Sequence, residues 1–159
     1  MFDFKKNKRT SLFAPVNGQM IPLENVPDKV FASHMMGEGV AFIYEDNIVC
    51  APCDGRVTLI APTLHAFGMM DSCGAEILVH IGLDTVNLQG KGFKVLVNQR
   101  EKVSKGTPII EIDRDYMRNH DIVLTTPVVI TNAKDFEIDI QNCTRVEKGV
   151  TEVLNFKKI

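Results

Sequence analysis

Apolar positions along this chain come in short runs. From Leu12 onward, β-prone stretches alternate with clusters of Gly, Pro, Asn and Asp. The clearest runs are 39–44, 48–50, 56–60, 76–81, 93–97, 108–112 and 127–130. Runs this short, broken this often, predict an all-β fold: an antiparallel sandwich with barrel-like character. Helical signal is confined to two short stretches, 113–119 and 135–138. Residues 1–11 are polar and basic and predict a flexible leader, with residues 12–159 as one domain.

One segment echoes another. Phe13-Ala14-Pro15-Val16-Asn17-Gly18 recurs 37 residues later as Cys50-Ala51-Pro52-Cys53-Asp54-Gly55. A Pro followed by Asn/Asp-Gly reverses the chain and supplies one residue able to take positive φ. Two copies are too few for a solenoid. They predict a β fold built from two related halves.

Composition narrows the function classes. Eighteen Lys and Arg against twenty Asp and Glu give a net charge of −2, without the clustered basic excess of a nucleic-acid binder. No run of eighteen apolar residues exists, so no membrane-spanning helix is predicted. The charged start precedes no apolar segment and is not a secretory signal. Lys5, Lys6, Lys8 and Arg9, with Phe2 and Phe4, offer at most weak contact with a membrane surface; a solvated end is the plainer reading. Cys50 and Cys53 form a C-x-x-C, but Asp54-Gly55 follows as a turn where a redox motif needs a helix. Cys73 and Cys143 stand alone, and all four cysteines read as small core residues. The expectation is a cytoplasmic, free one-domain protein.

The histidines carry the candidate chemistry. His65 and His80 flank a turn at Asp71-Ser72-Cys73-Gly74, so an antiparallel hairpin there brings the two imidazoles side by side. His80 interrupts a strand that is otherwise apolar on both faces. Three chemistries fit such a pair. One is zinc ligation, although neither H-x-H nor H-E-x-x-H is present. Another is a Cys-His or Ser-His nucleophile, although no G-x-S-x-G elbow is present. The last is phosphoryl acceptance, in which one ring nitrogen attacks phosphorus and the other is held by an acceptor.

At these residues the sequence resembles the glucose-family enzyme IIA of the bacterial phosphoenolpyruvate:sugar phosphotransferase system. The stretches that carry the resemblance run from about Leu12 to Lys158. They include Phe13-Ala-Pro-Val-Asn-Gly18, Pro22-Leu-Glu-Asn-Val-Pro-Asp-Lys-Val-Phe31 and Met35-Met-Gly-Glu-Gly-Val40. They continue through Thr63-Leu-His-Ala-Phe67, Leu78-Val-His-Ile-Gly-Leu-Asp-Thr-Val86 and Thr126-Pro-Val-Val-Ile-Thr-Asn132. The histidine segment is the most specific.

The resemblance implies a phosphocarrier in sugar uptake, without a cofactor. It implies that HPr phosphorylates His80 at Nε2 and that a IIB domain of a sugar permease receives the group on a cysteine. It implies that His65 stabilises the phosphoryl group, that Thr63 orients His65, and that the Gly82 carbonyl orients His80. Glu38 and Asp84 fall where the family places acidic residues that meet basic partner side chains. Four departures stand out: Glu38 occupies a position where Asp is usual, Leu78 one where Phe is common, Glu45-Asp46-Asn47 replaces a more usual Pro/Gly-containing loop, and His34 stands where other polar residues are usual.

A carrier that serves two proteins needs an apolar docking rim. Phe31, Met35, Met36, Val40, Phe42, Phe67 and Leu78 are the candidates, with Met69 and Met70. Two rival readings remain at this stage. One is a regulatory binding protein that reports sugar flux to further targets through the same face. The other is a zinc-dependent hydrolase-like protein, with His65 and His80 as ligands. Adventitious zinc on that pair would not make it one.

Overall fold

The computed structural model describes residues 8–159. Its main element is an antiparallel eight-stranded sheet. In spatial order the strands are β13 (Arg145–Val146), β2 (Gly18–Pro22), β3 (Glu38–Tyr44), β11 (Thr126–Ile130), β7 (Glu76–His80), β6 (Ala66–Met70), β5 (Gly55–Ile60) and β9 (Lys102–Val103). Two three-stranded antiparallel sheets complete the fold. One orders β1 (Thr10–Phe13), β14 (Glu152–Lys158) and β12 (Phe136–Ile140). The other orders β4 (Ile48–Cys50), β10 (Pro108–Ile112) and β8 (Phe93–Val95). The sandwich reading holds. The barrel-like part does not: among the described residues no sheet closes, and the large one ends at β13 and β9.

Three boundaries differ from the sequence reading. β1 begins at Thr10, inside the span read as a leader; residues 1–7 lie outside the described residues. Arg9 is bound on the protein, donating to Asn155 at 2.6 Å and lying 3.7 Å from Glu137. Of the 135–138 stretch only Asp135 is helical, ending the 3-10 turn Ala133–Asp135; residues 136–138 are strand, because Phe136 is buried and the segment pairs with β14. A helical turn at Lys29–Ala32 was not foreseen; Asp28 caps it by accepting from the Val30 N–H. Asp113 caps the expected Arg114–Asn119 helix in the same way.

The two sequence echoes do equivalent work. Phe13 N–H donates to the Pro52 carbonyl at 2.7 Å, and Cys50 N–H donates to the Pro15 carbonyl at 2.9 Å. Each copy thus bonds the other through matching positions. Gly18 and Gly55 each open a strand pressed against a neighbouring carbonyl, where an added Cβ would lie 2.3 and 2.4 Å from oxygen. The relation extends outward. Gly149 N–H donates to Ala14 as Gly106 N–H donates to Ala51, and the two glycines face one another at positive φ. The strand order around the β11–β7 pair reflects this pseudo-twofold relation.

Alternation along the strands sorts side chains into two cores. Val40, Phe42, Phe67, Met69, Ile77, Val79 and Val128 face the main core, where the flanking sheets contribute Leu12, Ile110, Leu154 and Phe156. Ala41, Leu78 and Val129 face outward and are roofed by Leu23, Val26, Phe31 and Leu83 in a smaller cluster. Cys50 and Cys53 are buried, whereas Cys73 and Cys143 are only half-buried, contrary to a uniform core reading. Burial pushes the Cys53 thiol up to about 12, which removes the thiolate a redox C-x-x-C would need. No helix among the described residues is long and apolar enough to cross a membrane.

Candidate functional site

The β6–β7 hairpin brings the two histidines together. Asp71 closes its turn by accepting from the N–H groups of Cys73 and Ala75. The resulting register sets Ala66 opposite His80, and Ile81 N–H donates to the His65 carbonyl at 2.7 Å. The imidazole centroids lie 4.8 Å apart, edge to face. The ring of Phe31 leans on His80 from the roof, with centroids 5.0 Å apart.

Each imidazole commits Nδ1 to a neighbour. His80 Nδ1–H donates to the Gly82 carbonyl at 2.8 Å; a carbonyl only accepts, so in the neutral ring Nε2 carries the lone pair. His65 Nδ1 lies 2.6 Å from Thr63 Oγ1. Gly82 is held in place on three sides. Its φ is +79°, and a Cβ would meet Thr85 Cγ2 at 2.6 Å and the Val123 carbonyl at 2.9 Å. Thr85 Oγ1–H donates to the Ile81 carbonyl, and Leu83 N–H to the Val123 carbonyl. The turn that aims the Gly82 oxygen is therefore tightly braced.

Burial holds both imidazoles below their ordinary range. At His65 the nearby His80 adds to the effect. At His80 the Gly82 bond and the charges of Asp28 and Asp84 oppose it without overcoming it. Both rings are thus neutral near pH 7, and a nucleophilic nitrogen is present on His80 without prior loss of a proton.

The proposed rim divides. Met35 and Met36 are exposed, Met35 to 77%. Leu78 is half-buried, two residues from His80 on the same face. Phe31 is nearly buried and forms a wall of the site rather than a rim. Val40, Phe42, Phe67 and Met69 point into the main core and cannot meet a partner. The cause is register: Phe67 lies opposite Val79, and Val40 and Phe42 share that inner face. Met70 is partly exposed but sits at the far end of the hairpin, opposite Glu76.

Asp84 follows the Gly82 turn in a left-handed conformation, close enough for its charge to act on His80. Glu38 lies in the row of the sheet two strands away and three residues along. Through Ile130 it is in register with Ile77, three residues from His80, and its carboxylate lies 2.8 Å from His34 Nδ1. Three nearby residues escaped the sequence reading. Asp28 caps a helical turn that the sequence reading did not contain, and Val86 and Val123 are isolated valines that the folded turns leave half exposed beside Asp84 and Gly82.

Among the described residues His65 and His80 have no third ligand. Among the described residues no group of three or more His, Cys, Asp or Glu side chains could hold a metal ion, so a hydrolytic zinc site lacks its donor set.

Comparison with known proteins matches residues 10–136 to the family described as "phosphoenolpyruvate-dependent sugar phosphotransferase system, EIIA 1". Among solved structures, glucose permease IIA from Mycoplasma capricolum is similar at 33% sequence identity, with a TM-score of 0.85. That likeness covers 98% of this chain and 99% of the other.

Proposed function

The chain belongs to the EIIA 1 family of the phosphoenolpyruvate-dependent sugar phosphotransferase system, and from that premise we propose that it carries the phosphoryl group on His80. As a member it is a phosphocarrier in sugar uptake and a phosphotransferase, exchanging with HPr and IIB components. The observation that carries the assignment is the His80 Nδ1–Gly82 carbonyl bond, which leaves Nε2 as the lone-pair nitrogen beside a second imidazole.

The proposed step is an in-line displacement. The His80 Nε2 lone pair forms a bond to phosphorus, and the bond from phosphorus to the atom on HPr breaks, its electron pair leaving with HPr. The ring then bears positive charge, which the Gly82 carbonyl stabilises through Nδ1–H. Thr63 Oγ1–H donates to His65 Nδ1, so that His65 Nε2–H faces the phosphoryl oxygens. Discharge reverses the geometry: a IIB cysteine thiolate attacks phosphorus and the His80 lone pair is restored. Asp84 and Glu38 meet basic partner side chains. Met35, Met36 and Leu78 give the adaptable apolar contact that two different partners need. The setting of this exchange is the cytoplasm.

The test is intact-protein mass after incubation with phosphoenolpyruvate, enzyme I and HPr. Wild type gains one acid-labile phosphoryl group and His80→Gln gains none. Equal gain by both proteins assigns the acceptor elsewhere.

A further inference from the structure

His34 follows the helical turn that carries Phe31 and is unused by the mechanism above. It closes the Lys29–Ala32 helical turn with φ +65°, and its ring is bonded at both ends. Nδ1 lies 2.8 Å from Glu38 Oε2, and Nε2 lies 2.6 Å from Glu24 Oε1. Carboxylates only accept hydrogen bonds, and a neutral imidazole has one N–H. Both contacts are satisfied together only by the doubly protonated ring. The clamp joins three segments: the turn at Leu23–Asn25, the end of the helical turn and the start of β3. These segments carry the roof of the site, since Leu23 and Phe31 belong to its small core.

We propose that His34 is a positioning residue that masks Glu38, so that loss of its proton frees this carboxylate and strengthens docking of the basic phosphoryl donor. The proposal rests on the phosphocarrier reading and adds a pH dependence to its donor recognition. With His34 protonated, Glu24, His34 and Glu38 together carry one negative charge. With His34 neutral they carry two, and Glu38 or Glu24 loses its bond to the ring. At a docking rim such a change acts mainly on encounter and orientation.

The charged groups facing the ring are Glu24 from the turn and Glu38 from β3; on its own segment, Asp28 is engaged with the Val30 N–H. Partial burial alone would lower the His34 value. The two hydrogen bonds and the two carboxylate charges outweigh it and raise the value above the ordinary one. The change of state is therefore shifted upward from the ordinary histidine value, not downward.

The experiment follows donor-dependent phosphorylation from pH 5.5 to 9 at low salt, for wild type, His34→Lys and His34→Gln. Expressing each variant as a ratio to wild type cancels the titration of His80, His65 and the donor. His34→Gln, always neutral, exceeds wild type in kcat/KM by at least about threefold at low pH and converges on it at high pH. His34→Lys, a fixed cation, matches wild type at low pH and falls below it at high pH. The differences reside in KM and vanish in high salt. Glu24→Gln provides a second arm. It lowers the His34 midpoint read by NMR, and the kinetic crossover moves down with it.

Ratios that stay flat with pH, or a crossover that stays put while the NMR midpoint moves, overturn the proposal. Wild type that gains no phosphoryl group from an active donor overturns the phosphocarrier reading and this proposal with it. Normal gain with flat ratios overturns this proposal alone.

Discussion

At the scale of single residues, the site depends on which ring nitrogen is occupied. His65 and His80 both commit Nδ1, one to a hydroxyl and one to a carbonyl, and both are neutral near pH 7 because they are buried. The lowered His80 value has a kinetic consequence. With His80 as the proposed acceptor, the rate of phosphoryl acceptance at saturating donor stays level through neutral pH and falls only once the pH drops through that lowered value, because protonation of Nε2 then removes the nucleophile. Rapid-quench measurement of acceptance against pH checks this; a fall beginning above the ordinary histidine range contradicts it. Thr63→Val removes the hydroxyl that orients His65. One lost hydrogen bond of about 1–1.5 kcal/mol predicts about a tenfold loss in onward transfer to IIB, with His80 still phosphorylated. Single-turnover discharge of the phosphorylated variant measures it. The histidine pair was legible in the sequence because the turn between them fixes their approach. The part played by Phe31 was not, since its contact with His80 depends on a helical turn of only four residues. The Val40, Phe42 and Phe67 readings failed because a composition-level search for apolar side chains ignores which face of the strand each one occupies.

At the scale of elements, the β6–β7 hairpin and the turn after it act as one device. The hairpin sets the distance between the rings, and the turn aims the oxygen that fixes the His80 tautomer. Gly82 is where the two meet. Gly82→Ala places a Cβ inside contact distance of Thr85 and the Val123 carbonyl, in a backbone conformation that alone costs about 1–2 kcal/mol. The expected outcome is destabilisation by at least that much in urea denaturation, together with loss of the hydrogen-bonded Nδ1 signal of His80 in ¹⁵N NMR. An unperturbed signal would show that the carbonyl is held without glycine. Strand positions with an uninterrupted apolar core were legible to within a residue or two, as at 48–50 and 108–112. β6 was not, because Gly68 sits at its centre and weakens the pattern; here pairing on both sides makes the strand. The 135–138 stretch misled because its alternating acidic residues suit an exposed helix as well as an edge strand.

At the scale of the whole molecule, the fold is two similar halves that bond each other through matching backbone groups. The Pro-x-Asn/Asp-Gly echo announced that relation, but not its extent. The partner segments around Gly106 and Gly149 share too few side chains to be noticed before their backbones are seen to meet. Both glycines have positive φ, so alanine at either position costs about 1 kcal/mol. Because a Cβ on Gly149 would touch the Gly106 Cα at 3.5 Å, the double variant differs from the sum of the single ones. A double-mutant cycle in urea reads the coupling, and strict additivity would mean that the two segments yield independently.

β1 and β14 lie side by side and antiparallel, with Thr10 opposite Phe156. A chain that enters along one and leaves along the other therefore crosses the domain boundary at a single spot. Both strands pack through the main core, on the side of the large sheet away from His80 and the small roof above it. The domain has, in effect, a handle and a working face at opposite poles.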